Sequence, residues 1–206
     1  GTADGKPLWR VKLGEELRGP LVALPGDLVA VLDPIGERLV VVAVANGAKR
    51  WELPLGDLWL SPPQVLGDSL LVATKSNRLL RVKASDGSIQ AERRWPLWLT
   101  ELAALRLGQQ QALLVADITG QLTILDPQSL VTRRSFNLGR RMLPGLLLAP
   151  EFPVHFPQNL PDAGGDDEDL DTAIISRAGA ARAPAVLAAD GHGFLYVIAW
   201  AQLLQE

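Results

Sequence analysis

The stretch DLVAVLDPIGERLVVVAVAN, residues 27–46, decides the fold, because it consists of two apolar segments joined by a short polar turn. Val, Leu and Ala dominate both segments, whereas Asp, Pro and Gly occupy the turn. This arrangement is typical of a β-hairpin. Three further stretches repeat it, at residues 68–86, 111–126 and 185–200. The sequence therefore predicts an all-β protein built from repeated hairpins.

The spacing of the hairpin turns gives the length of the repeat. Gly36, Asn77, Gly120 and Gly193 occupy equivalent turn positions, 41, 43 and 73 residues apart. The first two intervals match a propeller blade, which takes about 40–50 residues. The third interval is longer by roughly one loop. We therefore expect a β-propeller of four-stranded antiparallel blades, with about four blades in this chain.

A second motif recurs in phase with the hairpins. ADGKPLW, which ends at Trp9, is echoed by ANGAKRW, which ends at Trp51. Weaker copies follow at residues 84–91, where alanine replaces the tryptophan, and at residues 126–129. An Asp-Gly or Asn-Gly turn lets the chain reverse, and the next strand carries an aromatic side chain between blades. Trp9 and Trp51 are therefore predicted to dock one blade on the next.

These motifs resemble the tryptophan-docking repeat of the pyrroloquinoline-quinone-type (PQQ-like) β-propeller family, over nearly the whole chain apart from residues 150–183. The resemblance implies a single propeller domain over residues 1–206. We map its blades to residues 20–55, 58–95, 98–138 and, interrupted, 142–149 with 185–200. A strand over residues 5–13 is expected to close the fourth blade, which would remove an exposed sheet edge.

The number of blades leaves three arrangements open. Relatives of this repeat family usually have seven or eight blades, and four is near the lower limit for radial closure. The chain would form a compact four-bladed ring, half of an eight-bladed ring made by two chains, or a fragment of a longer chain.

A proline-rich and acidic insertion, residues 150–182, interrupts the fourth blade. Its four prolines favour extended backbone, and its acidic cluster repels itself and stays solvated. A mobile loop and a functional loop are both open interpretations. Because hard cations prefer several carboxylates, the candidate calcium ligands are Asp166, Asp167, Asp169 and Asp171. The candidate partner contacts in this loop are Asp166, Asp167, Glu168 and Asp169.

Three further tryptophans fall at predicted blade entrances, next to leucines. They are Trp59, Trp95 and Trp98. Such clusters either belong to the core or form an apolar contact patch. We take these three residues as the candidates for a partner-binding edge.

Composition and motifs argue against several functions. The formal net charge of −3 disfavours a nucleic-acid surface, and no apolar run reaches the ~18 residues of a membrane span. The only imidazoles, His155 and His192, lie in no recognisable catalytic motif. The family resemblance raises a quinoprotein dehydrogenase, with a quinone, a calcium ion, a catalytic aspartate and a vicinal disulfide. The chain has no cysteine, and we assign it no cofactor and no catalytic residue.

We therefore expect a non-catalytic protein-binding scaffold or assembly subunit, similar to the BamB-like members of the family, with other proteins of a larger assembly as partners. The alternative is a cofactor- or calcium-binding sensor or a quinoprotein dehydrogenase fragment. A third possibility is a homodimer whose blades complete a larger propeller. A chain that starts at Gly1 and lacks cysteine fits a processed protein of the periplasm or cell envelope.

Overall fold

The computed structural model describes residues 7–15, 17, 21–58, 60–107, 109–139, 147–153, 182–189 and 195–199. Every helix or strand assigned among these residues is a β-strand, so the all-β prediction is confirmed. The chain divides into two compact units, Gly1–Pro144 and Gly145–Glu206.

The first unit contains three four-stranded antiparallel sheets, in each of which the strands follow their order in the chain. Blade one comprises β1 (Val22–Leu24), β2 (Leu28–Asp33), β3 (Arg38–Ala43) and β4 (Lys49–Pro54). Blade two comprises β5 (Gln64–Leu66), β6 (Ser69–Ala73), β7 (Arg78–Lys83) and β8 (Ile89–Arg94). Blade three comprises β9 (Leu99–Leu107), β10 (Gln110–Asp117), β11 (Gln121–Leu125) and β12 (Thr132–Asn137). All three sheets fall within the blade boundaries that the sequence predicts.

The described part of the second unit is a three-stranded antiparallel sheet in the order β13, β14, β15. Its strands are β13 (Leu147–Pro153), β14 (Arg182–Ala189) and β15 (Leu195–Ala199). The strand β13 continues to Pro153, past the residue 149 where the sequence analysis ends it, and β14 begins at Arg182. The interior of the insertion, residues 154–181, lies outside the described residues.

The third and fourth strands of the three blades share one register, with a bulge at the same place. The register pairs Val41 with Trp51, Arg81 with Ala91, and Ile124 with Arg134. These positions are therefore structurally equivalent, and side chains at them can be compared directly between blades.

Two apolar cores lie between the blades of the first unit, one on each side of blade two. Because successive side chains on a strand point to opposite faces, β6 contributes to both cores. Leu70 and Val72 pack against blade one, whereas Leu71 and Ala73 pack against blade three. All four side chains are fully buried. Blade two is thus held from both sides by hydrophobic contact, which is the main favourable term in folding.

The segment before blade one differs from the prediction. The expected strand over residues 5–13 is wrong for its described part, because residues 7–15 form no strand. The segment docks through its tryptophan: Trp9 Nε1 donates a hydrogen bond to the carbonyl oxygen of Val44, at 2.8 Å. The indole ring also lies against Gly47, where an added Cβ would come within 2.6 Å of Trp9 Cε3. The sequence pattern reflects docking contacts here and not strand pairing.

In blades one and two, the arginine that begins the third strand extends these docking contacts. Arg38 Nη2 donates to the carbonyl oxygen of Leu13 at 3.1 Å, and Arg78 Nη1 donates to that of Leu55 at 2.8 Å. Leu13 follows Trp9 at the same interval at which Leu55 follows Trp51. Residues 7–15 therefore contact blade one as the end of β4 contacts blade two.

Candidate functional site

The junction between blades one and two depends on a tryptophan and a glycine. Trp51 is buried, and its Nε1 donates to the carbonyl oxygen of Ala84 at 3.0 Å. Gly87 has φ +77°, and a Cβ added to it would lie 2.6 Å from Trp51 Cε3. Glycine is needed here both for the backbone conformation and for the close approach of the ring.

At the junction between blades two and three, the small residue lies on the preceding blade and the large residue on the following blade. Ala91 occupies the register position of Trp51, so the large side chain is absent from the preceding blade. On the following blade, Leu130 makes the turn bond that Gly87 makes in blade two, from its N–H to the carbonyl oxygen four residues earlier. Leu130 has φ +59° and is buried against blade two. The volume that a tryptophan supplies at one junction is supplied by a leucine from the opposite side at the other.

Two arginines complete the second junction. Arg93 Nη1 donates to the carbonyl oxygen of Leu130 at 2.8 Å and to Thr132 Oγ1 at 2.9 Å. Arg81 Nη1 donates to the carbonyl oxygen of Gln128 at 3.2 Å. Burial lowers the pKa of the Arg93 guanidinium. Guanidinium groups keep their charge in proteins, so these are charge-assisted hydrogen bonds between the blades.

Trp95 belongs to this junction and not to an exposed edge. Its side chain is only 8% exposed and packs in the core between blades two and three. The guanidinium carbon of Arg93 lies 4.3 Å from the centroid of a Trp95 ring, within the range of a cation–π contact. The sequence analysis allowed a core residue or a surface contact, and the structure places Trp95 in the core.

The segment that leads from blade two to blade three is held by three backbone positions. Asn77 accepts two hydrogen bonds, from the Trp95 N–H at its carbonyl oxygen and from the Leu99 N–H at Oδ1. The Ile118 N–H donates to the carbonyl oxygen of Trp98 at 2.9 Å. Asn77 lies in the turn between β6 and β7, and Ile118 lies in the corresponding turn of blade three. The linker is therefore fixed between two hairpin turns at one end of the sheets.

Two large apolar side chains project from this fixed linker. Trp98 is 68% exposed and Leu97 is 41% exposed. We call this pair the apolar knob. Both residues lie between Trp95 and Leu99, which are buried, so the exposure is confined to the middle of the linker. Adjacent large apolar side chains on a rigid surface are typical of interaction sites.

The corresponding linker between blades one and two is polar at its tip. The Lys75 N–H donates to the carbonyl oxygen of Leu58, as the Ile118 N–H does to that of Trp98, so Leu58 and Trp98 are equivalent. Leu97 therefore takes the place of Asp57. The Asp57 carboxylate accepts hydrogen bonds from the N–H groups of Leu58 and Ser76. The sequence signal for the knob is this difference, LGDL at residues 55–58 against WPLW at residues 95–98.

Charged side chains of both signs lie on the elements that hold the knob. The Arg94 side chain is 80% exposed, and Lys75 is exposed on the neighbouring turn. The carboxylate of Glu92 is engaged by Arg78 at 3.0 Å and lies 4.0 Å from Arg94 Nε; Arg78, more than Arg94, lowers the pKa of Glu92. Asp117, at the base of the blade-three turn, is buried and bonded within that turn. Arg78 and Arg94 therefore share the carboxylate of Glu92 beside the linker.

Several predicted site residues lie outside the described residues. They are Trp59, His155, Asp166, Asp167, Glu168, Asp169, Asp171 and His192. Within the described ranges, no group of three or more His, Cys, Asp or Glu side chains is placed to hold a metal ion. The same part of the chain contains no helix of the length and apolarity needed to cross a membrane.

The four-stranded blades, together with the docking of Trp9 and Trp51, define a β-propeller of PQQ-like repeats. A family model described as outer membrane protein assembly factor BamB matches residues 1–135. The chain belongs to this family, and the predicted resemblance is confirmed. No protein of curated function matches the chain significantly in sequence.

Solved structures support the same fold. BamB from Moraxella catarrhalis is 16% identical with a TM-score of 0.53, covering 92% of this chain and 52% of BamB. The computationally designed protein Ika4 is 12% identical with a TM-score of 0.60, covering 95% of this chain and 98% of Ika4. BBS1N, solved in complex with ARL6DN, is 11% identical with a TM-score of 0.57, covering 84% of this chain and 45% of BBS1N. These likenesses establish the fold, and the chain spans about half the length of the Moraxella BamB chain.

Proposed function

We propose that this chain is a non-catalytic protein-binding scaffold, or a subunit, of an assembly in the periplasm or cell envelope. The observation that carries the proposal is the exposure of Leu97 and Trp98 on a linker that hydrogen bonds hold in place. An indole that is 68% exposed adds little to the core of its own chain. Burying it in a partner would release the hydration of a large apolar surface.

The internal repeat supports a role for the knob beyond folding. The same linker position is filled by Asp57 at the preceding junction, where its carboxylate bonds backbone N–H groups of blade two. A linker of this architecture therefore forms with a polar residue at the position of Leu97 and with a half-buried leucine, Leu58, at the position of Trp98. The substitution of Asp57 by Leu97 in the next repeat replaces a self-contained polar turn by a surface suited to protein contact.

The acidic side chains of the described blades support a non-catalytic role. The Asp33 carboxylate accepts from the N–H groups of Ile35 and Gly36 and from Arg38. The Gly36 N–H is the main cause of the lowered pKa of Asp33. Asp117 takes the same position in blade three and accepts from Thr119 and Gln121. Carboxylates that recur at equivalent turns and bond their own backbone are structural groups.

The relatives support the choice of partner class and compartment. The family model is described as outer membrane protein assembly factor BamB, and BBS1N was solved in complex with ARL6DN. Function on a propeller resides in its surfaces and loops, so this support is by analogy of fold. A protein partner at the cell envelope agrees with both the analogy and the exposed knob.

Site-specific photo-crosslinking in cells of the source organism tests the proposal. A benzoylphenylalanine at position 98 is expected to give one discrete adduct with another protein, identified by mass spectrometry. The matched control is position 131, where Val131 is 61% exposed on the turn at the opposite end of blade three. A discrete adduct at position 98 and none at position 131 supports the proposal. No protein adduct at position 98 would contradict it.

A further inference from the structure

The exposed turn between β3 and β4 contains a pair of residues that can react with each other. Asn46 is followed by Gly47, and no other asparagine of the chain precedes a glycine. The others precede arginine or leucine: Asn77, Asn137 and Asn159. We propose that Asn46 is a site of spontaneous deamidation, and that the docking of Trp9 on this turn controls the rate of the reaction. This proposal is independent of the binding function.

Deamidation of an Asn-Gly pair begins with an attack by the backbone on the side chain. The nitrogen of Gly47 bonds to Cγ of Asn46, and the side-chain amide leaves as ammonia together with the proton that this nitrogen gives up. Water then opens the resulting succinimide at either of its carbonyl groups, which yields aspartate or isoaspartate. Because glycine has no side chain, nothing on residue 47 hinders the attack. Asn46 is exposed, so water reaches the site.

The folded turn engages both reacting groups in hydrogen bonds. The Gly47 N–H donates to the carbonyl oxygen of Ala43 at 2.9 Å, and Asn46 Oδ1 accepts from the Ala48 N–H at 3.0 Å. The Gly47 nitrogen must leave its hydrogen bond before it can lose its proton and bond to Cγ. The reaction therefore proceeds from a locally opened turn, and its rate follows the population of that opened state.

Trp9 covers this turn and holds it closed. Its Nε1 donates to the carbonyl oxygen of Val44 at 2.8 Å, and its ring lies so close to Gly47 that an added Cβ would come within 2.6 Å of Cε3. Gly47 is buried, although the residues on both sides of it are exposed. Undocking of Trp9 removes the ring contact and the hydrogen bond together, and therefore raises the population of the opened turn.

The corresponding turn of blade two shows that an aspartate is compatible with a docked tryptophan. Asp86 takes the place of Asn46, because its Oδ1 accepts from the Ser88 N–H, two residues further on, at 3.0 Å. Gly87 follows Asp86 and lies against the ring of Trp51, as Gly47 lies against that of Trp9. The same turn and the same ring contact thus form with a carboxylate at this position.

The two products of deamidation are therefore expected to differ in their effect on docking. Aspartate at position 46 keeps the side-chain bond to the Ala48 N–H, and Trp9 stays docked. Isoaspartate carries the main chain through its side-chain carbon, which adds a methylene group before Gly47. The Gly47 N–H is then displaced from Ala43, and Gly47 from the ring of Trp9. Isoaspartate is thus expected to release the Trp9 segment from blade one at this contact.

The test follows deamidation of the full chain at mildly alkaline pH, by peptide mapping with mass spectrometry that separates aspartate from isoaspartate. Trp9→Ala is expected to accelerate the reaction at Asn46 about tenfold, because it removes a hydrogen bond and the ring contact. Trp9→Phe keeps a ring without the N–H donor and is expected to give a smaller acceleration. Leu8→Ala is the matched control, since Leu8 is the 66% exposed neighbour of Trp9 and its loss should leave the rate unchanged. Far-ultraviolet circular dichroism verifies that the blades of each variant remain folded.

Two results would overturn the proposal. One is a rate at Asn46 that is the same in the native chain, Trp9→Ala and Trp9→Phe, which would exclude control by docking. The other is a chain unfolded in guanidinium chloride in which Asn46 reacts no faster than Asn77, which would exclude the site. Oxidative labelling of Trp9 tests the products: labelling should rise in chain aged to isoaspartate and stay at the native level in Asn46→Asp. Equal labelling of these two forms would contradict the expected difference.

Discussion

The junction between blades one and two and the junction between blades two and three fill the same space from opposite sides. At the first, Trp51 from the preceding blade covers Gly87 of the following blade. At the second, Ala91 takes the place of the tryptophan and Leu130 that of the glycine. Total volume across a junction is thus maintained while the residue that supplies it changes blade. Close packing requires this complementarity and does not specify which side provides the bulk.

The outer parts of the two junctions differ in polarity as well. Arg81 and Arg93 stand in the register positions of Val41 and Leu53. Burying a guanidinium has a desolvation cost, which hydrogen bonds to carbonyl oxygens of the next blade offset. The first junction has one such bond, from Arg78 to the carbonyl oxygen of Leu55, whereas at the second both Arg81 and Arg93 donate to the next blade.

The largest expected effect is the loss of the docking tryptophan. Trp51→Ala removes the side chain that fills the first junction and leaves a cavity over Gly87. We expect the free energy of unfolding to fall by about 3–5 kcal/mol. Urea unfolding followed by far-ultraviolet circular dichroism measures this, since that signal comes mainly from the backbone. A loss below about 1 kcal/mol would mean that Trp51 is not a packing residue.

The second prediction replaces the alanine–leucine pair of the second junction by the tryptophan–glycine pair of the first. Ala91→Trp places a tryptophan opposite Leu130, and Leu130→Gly removes the side chain that takes its volume. We expect each single variant to lose about 2–3 kcal/mol of unfolding free energy, through overpacking or through a cavity. The double variant recreates the tryptophan–glycine pair of the first junction. Its loss is expected to be smaller than the sum by about 1–3 kcal/mol in a double-mutant cycle. Additive losses would contradict the claim that the side chains at positions 91 and 130 fill the same space.

A pH dependence of stability is expected from the turn of the first junction. The hydroxyl and N–H of Ser88, together with Lys83, lower the pKa of Asp86 to about 2. An unfolded aspartate has a pKa of about 3.9, so below that value the unfolded chain takes up the proton first. The contribution of Asp86 to stability is therefore present above pH ~4 and is lost as the pH falls toward ~2. Asp86→Asn should flatten the fall in unfolding free energy over this range. An unchanged slope would show that these bonds to Asp86 are not maintained in solution.

The smallest effect on stability is expected at the knob. Trp98→Ala removes an indole that is 68% exposed, in contrast to Trp51, which is buried. The free energy of unfolding should stay within about 0.5 kcal/mol of the native value. This variant is also the matched control for Trp51→Ala. A loss comparable to that of Trp51→Ala would mean that Trp98 packs in the fold and is not free to contact a partner.

The sequence predicts the blades well because strand periodicity and turn residues are local signals. The hairpins around Asn77 and Gly120 lie where the repeat places them. The segment at residues 5–13 shows where local reasoning fails: its docking motif is the same as that of β4, but strand formation also needs a neighbouring strand. A docking tryptophan alone does not establish that neighbour.

The candidate site was only partly predictable for a related reason. The sequence groups Trp95 and Trp98 as one aromatic edge, but the Trp95 side chain is buried and the Trp98 side chain is exposed. Trp95 follows β8 directly and turns into the second core, whereas Trp98 has an exposed side chain and accepts a backbone hydrogen bond from the next turn. The arginine pair at residues 93 and 94 is divided in the same way. Burial at such positions depends on the neighbouring blade, which no short window of sequence contains.

Oxidative footprinting of the tryptophans tests the central claim most directly, that Trp51 holds blades together while Trp98 is available to a partner. The unmodified chain would be labelled alone and in the complex isolated gently from its source, and each tryptophan quantified by mass spectrometry. The account predicts that Trp98 is oxidised in the isolated chain and protected in the complex, while Trp51 and Trp95 are protected in both. Equal oxidation of Trp98 in the two states, or protection of Trp98 in the isolated chain, would contradict it.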